Sequence, residues 1–197
     1  TGTYRDRNTI SLGFGFNVRY LEDADYAEMP TELVQPLKDL QKKLLLGKFD
    51  GKELLKMAND FKRNNIGLPK EVGIKMYNNK IKKIYDTYNN DYENFSNLAT
   101  ARQAALIDFS YQYGHERLKK EFPLYFAAIE NAINAEDIDL RNYYFKLAGF
   151  HQVYNEGKFG PTKTPLYYQT ARRVKDRVGN LGFHIRDNVD FLNNEYM

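Results

Sequence analysis

The spacing of apolar positions changes along the chain, and each spacing predicts an element. From Ile10 to Phe16 the residues Ile10, Leu12, Phe14 and Phe16 alternate with small or polar ones, the two-residue period of a strand, and Gly13 and Gly15 punctuate the run. Residues 1 to about 20 therefore read as a β-hairpin, with Asp6 and Ser11 on its tip and first strand. Beyond it the period lengthens. Leu33, Leu37, Leu40 and Leu44 recur at helical spacing, with Pro36 fixing the start of that helix. Asp50 reads as the N-cap of a further helix in which Leu54, Met57, Ala58 and Phe61 share a face, and Asn64, Asn65 and Gly67 supply its stop.

A long amphipathic helix is predicted from Pro69 to about Tyr88, with Val72, Met76, Ile81 and Ile84 on or near one side, and the polar run at 89–97 ends it. Within residues 100–113, Ala104, Ala105, Leu106, Ile107, Phe109 and Tyr111 fall inside two turns, so that helix is expected to be buried on most sides and to form the natural centre of a helical lobe. Further helices are expected near 122–134, 137–148, 164–178 and 187–195, with a surface loop at 155–165 where Gly and Pro recur.

Composition changes this picture little. The 197 residues suffice for one generous core or two small lobes, read here as one functional unit. The net charge of +3 does not demand a polyanionic partner. Lys80, Lys82 and Lys83 form one basic cluster and Arg172, Arg173, Lys175 and Arg177 another, each read as a solvated helix face that would also suit an anionic cell wall. The absence of cysteine removes disulfides and thiol catalysis. No apolar run approaches the roughly 20 residues of a membrane span, and the start at Thr1 does not resemble a signal peptide.

The histidines, His115, His151 and His184, are isolated from one another, so no metal is expected, and no cofactor motif is present. Gly13 and Gly15 are too short a pattern for a dinucleotide fingerprint. Asp6, five residues ahead of Ser11, pairs a carboxylate with a hydroxyl that together can hold a water.

Three segments in order, YRDRNTISLGFGF at 4–16, LPKEVGIKMYNNKI at 68–81 and ARQAALIDFSYQYG at 101–114, resemble the phage-type lysozymes, and weaker matches near Phe122 and Arg172 extend the likeness to about Val178. The resemblance implies an α+β, mostly α, two-lobed fold: a small β-containing lobe with a helical insertion (1–68), a connecting helix (69–92) and a helical lobe (93–197), with a cleft between the lobes. It implies hydrolysis of the β-1,4 bond between N-acetylmuramic acid and N-acetylglucosamine in peptidoglycan. Asp6 would act as base or electrostatic partner and Ser11 as water holder, an arrangement suited to the inverting route. Phe16, standing where the family commonly has His, and Asn17 are expected near the sugar; so are Tyr111, Gln112, Phe122 and Tyr125.

The family's general-acid Glu has no counterpart here, because counting back from Asp6 runs past Thr1. Three readings follow: a chain cut upstream, a helix that stays bound as a separate peptide, or substitution by another acid such as Glu195. The expected setting is a phage virion or the host envelope and periplasm. The expected partners are glycan strands, with the cleaved N-terminal peptide or other virion proteins; neither nucleic acid nor membrane insertion is expected. The competing reading is a catalytically silent, lysozyme-like structural or wall-binding component of a phage particle.

Overall fold

The computed structural model describes residues 3–6, 9–64, 66–154 and 172–183, giving the backbone alone at 3–6, 153–154 and 172–175. Among them the chain is α+β and mostly helical, with one small antiparallel sheet. The helices expected at 187–195 and over 164–171, the loop at 155–165 and Glu195 lie outside the described residues. The chain divides into two compact units, Thr1–Lys80 and Ile81–Met197.

In the first unit, strands β1 (Thr3–Asp6), β2 (Thr9–Leu12) and β3 (Phe16–Asn17) pair in chain order. Gly13 and Gly15 hold positive φ of 51° and 95°, a region that favours glycine, and the Gly15 N–H donates to the Leu12 carbonyl at 3.1 Å. This turn interrupts the alternation read from sequence. Ile10, Leu12 and Phe16 are buried, whereas Phe14 sits in the turn, exposed, with its ring centroid 6.3 Å from that of Tyr77.

A short 3-10 turn at Val18–Tyr20 and helix α1 (Asp23–Ala27) lead to α2 (Thr31–Leu46), followed by α3 (Gly51–Arg63). Pro36 does not start α2; it lies inside the helix, which begins at Thr31. The stripe Leu33, Leu37, Leu40 and Leu44 is buried and joins Ile10, Leu12, Val18, Leu54 and Met76 in one core. Asp50 caps α3 by accepting from the backbone N–H groups of Lys52 (2.7 Å) and Glu53 (2.9 Å), and Glu53 accepts from the Asp50 N–H in return. Gln41 ties α2 to the preceding loop: it donates to the Leu21 carbonyl at 2.8 Å and accepts from the Tyr26 hydroxyl at 3.0 Å.

Helix α4 (Lys70–Asp91) contains the boundary between the units. The second unit is built from its last turns with α5 (Thr100–Tyr113), α6 (His115–Glu121), α7 (Pro123–Asn134), α8 (Ile138–Tyr154) and α9 (Arg172–Asn180). The short α6 was not read from the sequence. Tyr88, Phe95, Leu106, Phe109, Ile129 and Phe145 lie within its core, where Tyr88 and Phe95 stack with centroids 4.9 Å apart.

Candidate functional site

The sheet carries the first group of candidate residues. In the β1–β2 register Asp6 stands across from Thr9 and Tyr4 across from Ser11; in the β2–β3 register Ser11 stands across from Asn17. The Asp6 side chain lies outside the described residues. Thr9 and Ser11, two apart on one strand, project from the face opposite Ile10 and Leu12. Ser11 is fully buried at 0% exposure.

Thr9 Oγ1 donates to Asn17 Oδ1 at 2.8 Å, and the Arg19 N–H donates to the same oxygen at 3.0 Å. The Asn17 side-chain oxygen therefore braces the sheet and caps the 3-10 turn, which engages one of the two polar atoms that the sequence suggested for sugar hydroxyls. Phe16 is buried in the apolar core of the first unit, which removes its ring from any polar ligand. Thr9 was overlooked, although its signal was legible: two hydroxyl residues at i and i+2 must share a strand face.

The candidates on the helical unit fare differently. Phe122, at 2% exposure, and Tyr125, at 0%, are core residues whose rings pack edge-on against Phe109 at 5.3 and 5.1 Å. This corrects the expectation of sugar contacts, since a ring enclosed on all sides offers no face to a ligand. Burial pushes the Tyr125 hydroxyl pKa well above the ordinary tyrosine value. Tyr111 is half-buried, and Gln112 is exposed but accepts at 2.8 Å from Arg177 Nη2.

Arg177 also departs from its reading as part of a solvated face. Its side chain is buried, with Nε 3.4 Å from Asp108 Oδ2 and its guanidinium 4.6 Å from the Phe109 ring centroid, so that it fastens α9 to α5. The other basic cluster is partly neutralised: Lys80 Nζ lies 3.0 Å from Asp25, and Lys82 Nζ 2.6 Å from Asp86.

The structure gathers a polar chain that sequence spacing did not reveal. Tyr88 Oη lies 2.9 Å from Ser110 Oγ, Ser110 Oγ 3.3 Å from His115 Nδ1, and His115 Nε2 3.1 Å from Asp91 Oδ2, which also accepts from Lys119 Nζ. Gly114, at a φ of 86°, ends α5 and reverses the chain so that His115 comes back over Ser110. Hydroxyl, imidazole and carboxylate in series are the components of a hydrolytic triad. Ser110 is buried at 1% exposure, however, so no substrate carbonyl reaches its oxygen in this conformation, and the chain acts as a tie among α4, α5 and α6.

Electrostatics fit that role. Burial raises the Asp91 pKa, but hydrogen bonds and charge attraction from Lys119 and His115 outweigh it and hold the carboxyl below its ordinary value. Burial pushes the Tyr88 hydroxyl far above the usual tyrosine range, and it pushes Tyr92 up to about 12 with help from Glu130 and Asp91. Both tyrosines are neutral at physiological pH, and the Tyr88 hydroxyl shares a hydrogen bond with Ser110. Among the described residues no cluster of three or more His, Asp or Glu is arranged to hold a metal ion.

No known protein-family profile matches the chain, and no solved structure matches it. Over 163 residues, 80% of this chain, it is 25% identical to dynein axonemal heavy chain 3 of Mus musculus. The chain spans about 4% of the length of that curated relative, so the likeness assigns neither family nor activity.

Proposed function

We propose that the protein is a phage-type lysozyme, hydrolysing the β-1,4 bond between N-acetylmuramic acid and N-acetylglucosamine in peptidoglycan and acting from a phage particle or within the host envelope. The observation that carries this reading is the hairpin. Its register sets Asp6 opposite Thr9, two pairs from the Tyr4–Ser11 pair, with Ser11 shortly before a glycine turn, and this supports a carboxylate and a hydroxyl grouped around a water. The order of elements, a small sheet-containing unit followed by a helical unit, supports the lysozyme-like reading.

In this reading the Asp6 carboxylate activates or electrostatically supports the attacking water, the Ser11 hydroxyl orients it, and a Glu ahead of Thr1 protonates the leaving oxygen. The test is release of reducing ends from purified peptidoglycan by the protein extended with its native upstream sequence. Asp6→Asn should lower the rate by about a hundred- to ten-thousand-fold while leaving the unfolding midpoint nearly unchanged. Parental turnover by the Asp6→Asn protein would refute the assignment.

A second reading, a catalytically silent lysozyme-like scaffold, is favoured by one observation: Ser11 is wholly buried. It predicts that the extended protein binds peptidoglycan without releasing reducing ends.

A further inference from the structure

The last turn of α2 leaves its leucines in two environments. Leu44 belongs to the buried stripe, but Leu45 and Leu46 are 61% and 79% exposed. Successive helical residues are turned by about 100°, so a stripe that takes Leu44 cannot also take the next two. Around this bare apolar tip the chain places exposed Lys42, Lys43 and Lys48, followed on α3 by exposed Lys52 and Lys56. None of these five ammonium groups has a carboxylate partner among the described residues, whereas Lys75, Lys80, Lys82 and Lys119 are all paired.

Between Lys42 and Lys56 the only acids are Asp50 and Glu53, and both are engaged with backbone N–H groups at the start of α3. On α3 the same combination recurs. A groove of about 380 Å³ is lined by exposed Leu55 together with Lys52, Lys56, Asn59, Asp60 and Arg63.

We propose that the α2–α3 tip is a peripheral docking surface for an anionic phospholipid bilayer. Leu45 and Leu46 seat at the boundary between headgroups and acyl chains, and the lysine ammoniums lie at the phosphates. Charge complementarity identifies an anionic surface, and two adjacent exposed leucines at the centre of the basic patch distinguish a bilayer from a soluble polyanion, which offers them nothing apolar. Lysine stems can lie along the apolar boundary while their charged ends remain in water. Among the described residues no helix is long and apolar enough to cross a membrane, so the proposed association is superficial. It departs from the sequence expectation of no membrane insertion, and it does not depend on the muramidase reading.

The experiment is co-sedimentation of the full chain with vesicles of mixed phosphatidylglycerol and phosphatidylcholine, against vesicles of phosphatidylcholine alone, at low and high salt. Binding should require the anionic lipid and weaken with salt. Leu45→Ser with Leu46→Ser, and separately Lys42→Gln with Lys43→Gln and Lys48→Gln, should each weaken it by about ten-fold or more. Failure to sediment with anionic vesicles would overturn the proposal, as would parental binding by the leucine variant, which would signify electrostatic adsorption alone. Hydrogen exchange on the unsubstituted chain gives a check independent of variant folding: vesicle-dependent protection should fall within residues 42–56, and protection confined elsewhere would also overturn it.

Discussion

Asp91 sits beneath His115 and Lys119, and the balance of forces on its carboxyl has a definite sign. A carboxyl whose pKa is depressed on folding stabilises the native state above its unfolded pKa, and that contribution disappears as pH falls through the folded value. The stability that wild type holds over Asp91→Asn should therefore be largest near neutral pH and should shrink as pH falls below about 4. Thermal unfolding of both proteins across this range checks it. A constant gap would mean that the carboxylate charge is not what ties α4 to α6. Tyr88 tests the other end of the chain: Tyr88→Phe should destabilise by about 1–3 kcal/mol in urea unfolding, because it leaves the buried Ser110 hydroxyl short of a partner.

At the scale of elements, α2 offers a contrast between neighbouring leucines. Leu44→Ala removes a wholly buried side chain and should cost about 2–5 kcal/mol, whereas Leu45→Ala at an exposed position should fall within about 0.5 kcal/mol of wild type. Urea unfolding distinguishes the two, and equal effects would mean that the helical phase is wrong. The cap at the start of α3 gives a second measure of the same element pair. Asp50→Ala removes acceptors from the Lys52 and Glu53 N–H groups and should cost about 0.5–2 kcal/mol.

Across the whole molecule, each unit has its own aromatic and aliphatic core, and one long-range ionic contact draws α9 onto α5 in the second. Arg177→Ala removes the charge facing Asp108, the donor to Gln112 and the cation over Phe109. Loss of one partner from a fully buried ion pair costs about 3–5 kcal/mol. Because Asp108 is 31% exposed and partly solvated, the lower end, about 3 kcal/mol, is expected. Arg177→Met should recover part of the loss by restoring packing on Phe109. A loss below about 0.5 kcal/mol, the level of an ordinary surface substitution, would restore the solvated-face reading.

Local periodicity made several elements legible. The stripe through Leu33, Leu37, Leu40 and Leu44 and the cap at Asp50 each follow from interactions within a few residues. The helix at Thr100–Tyr113 was legible as a helix, but it buries only Ala105, Leu106, Phe109 and Ser110, one face, where burial on most sides was expected. The α+β composition and the sheet strand around Ile10 and Leu12 were likewise legible from local periodicity. Which aromatics are core was not, because Phe122 and Tyr125 on an amphipathic helix look alike whether they meet a ligand or Phe109. Nor was the Tyr88–Ser110–His115–Asp91 chain, whose members become neighbours only when the Gly114 turn and helix packing bring distant positions together. Linear order determines backbone periods and caps, since those depend on nearest neighbours. Which polar groups share a proton chain, and which leucines remain in water, depends on how side chains far apart in sequence exclude solvent, and that only the tertiary structure decided.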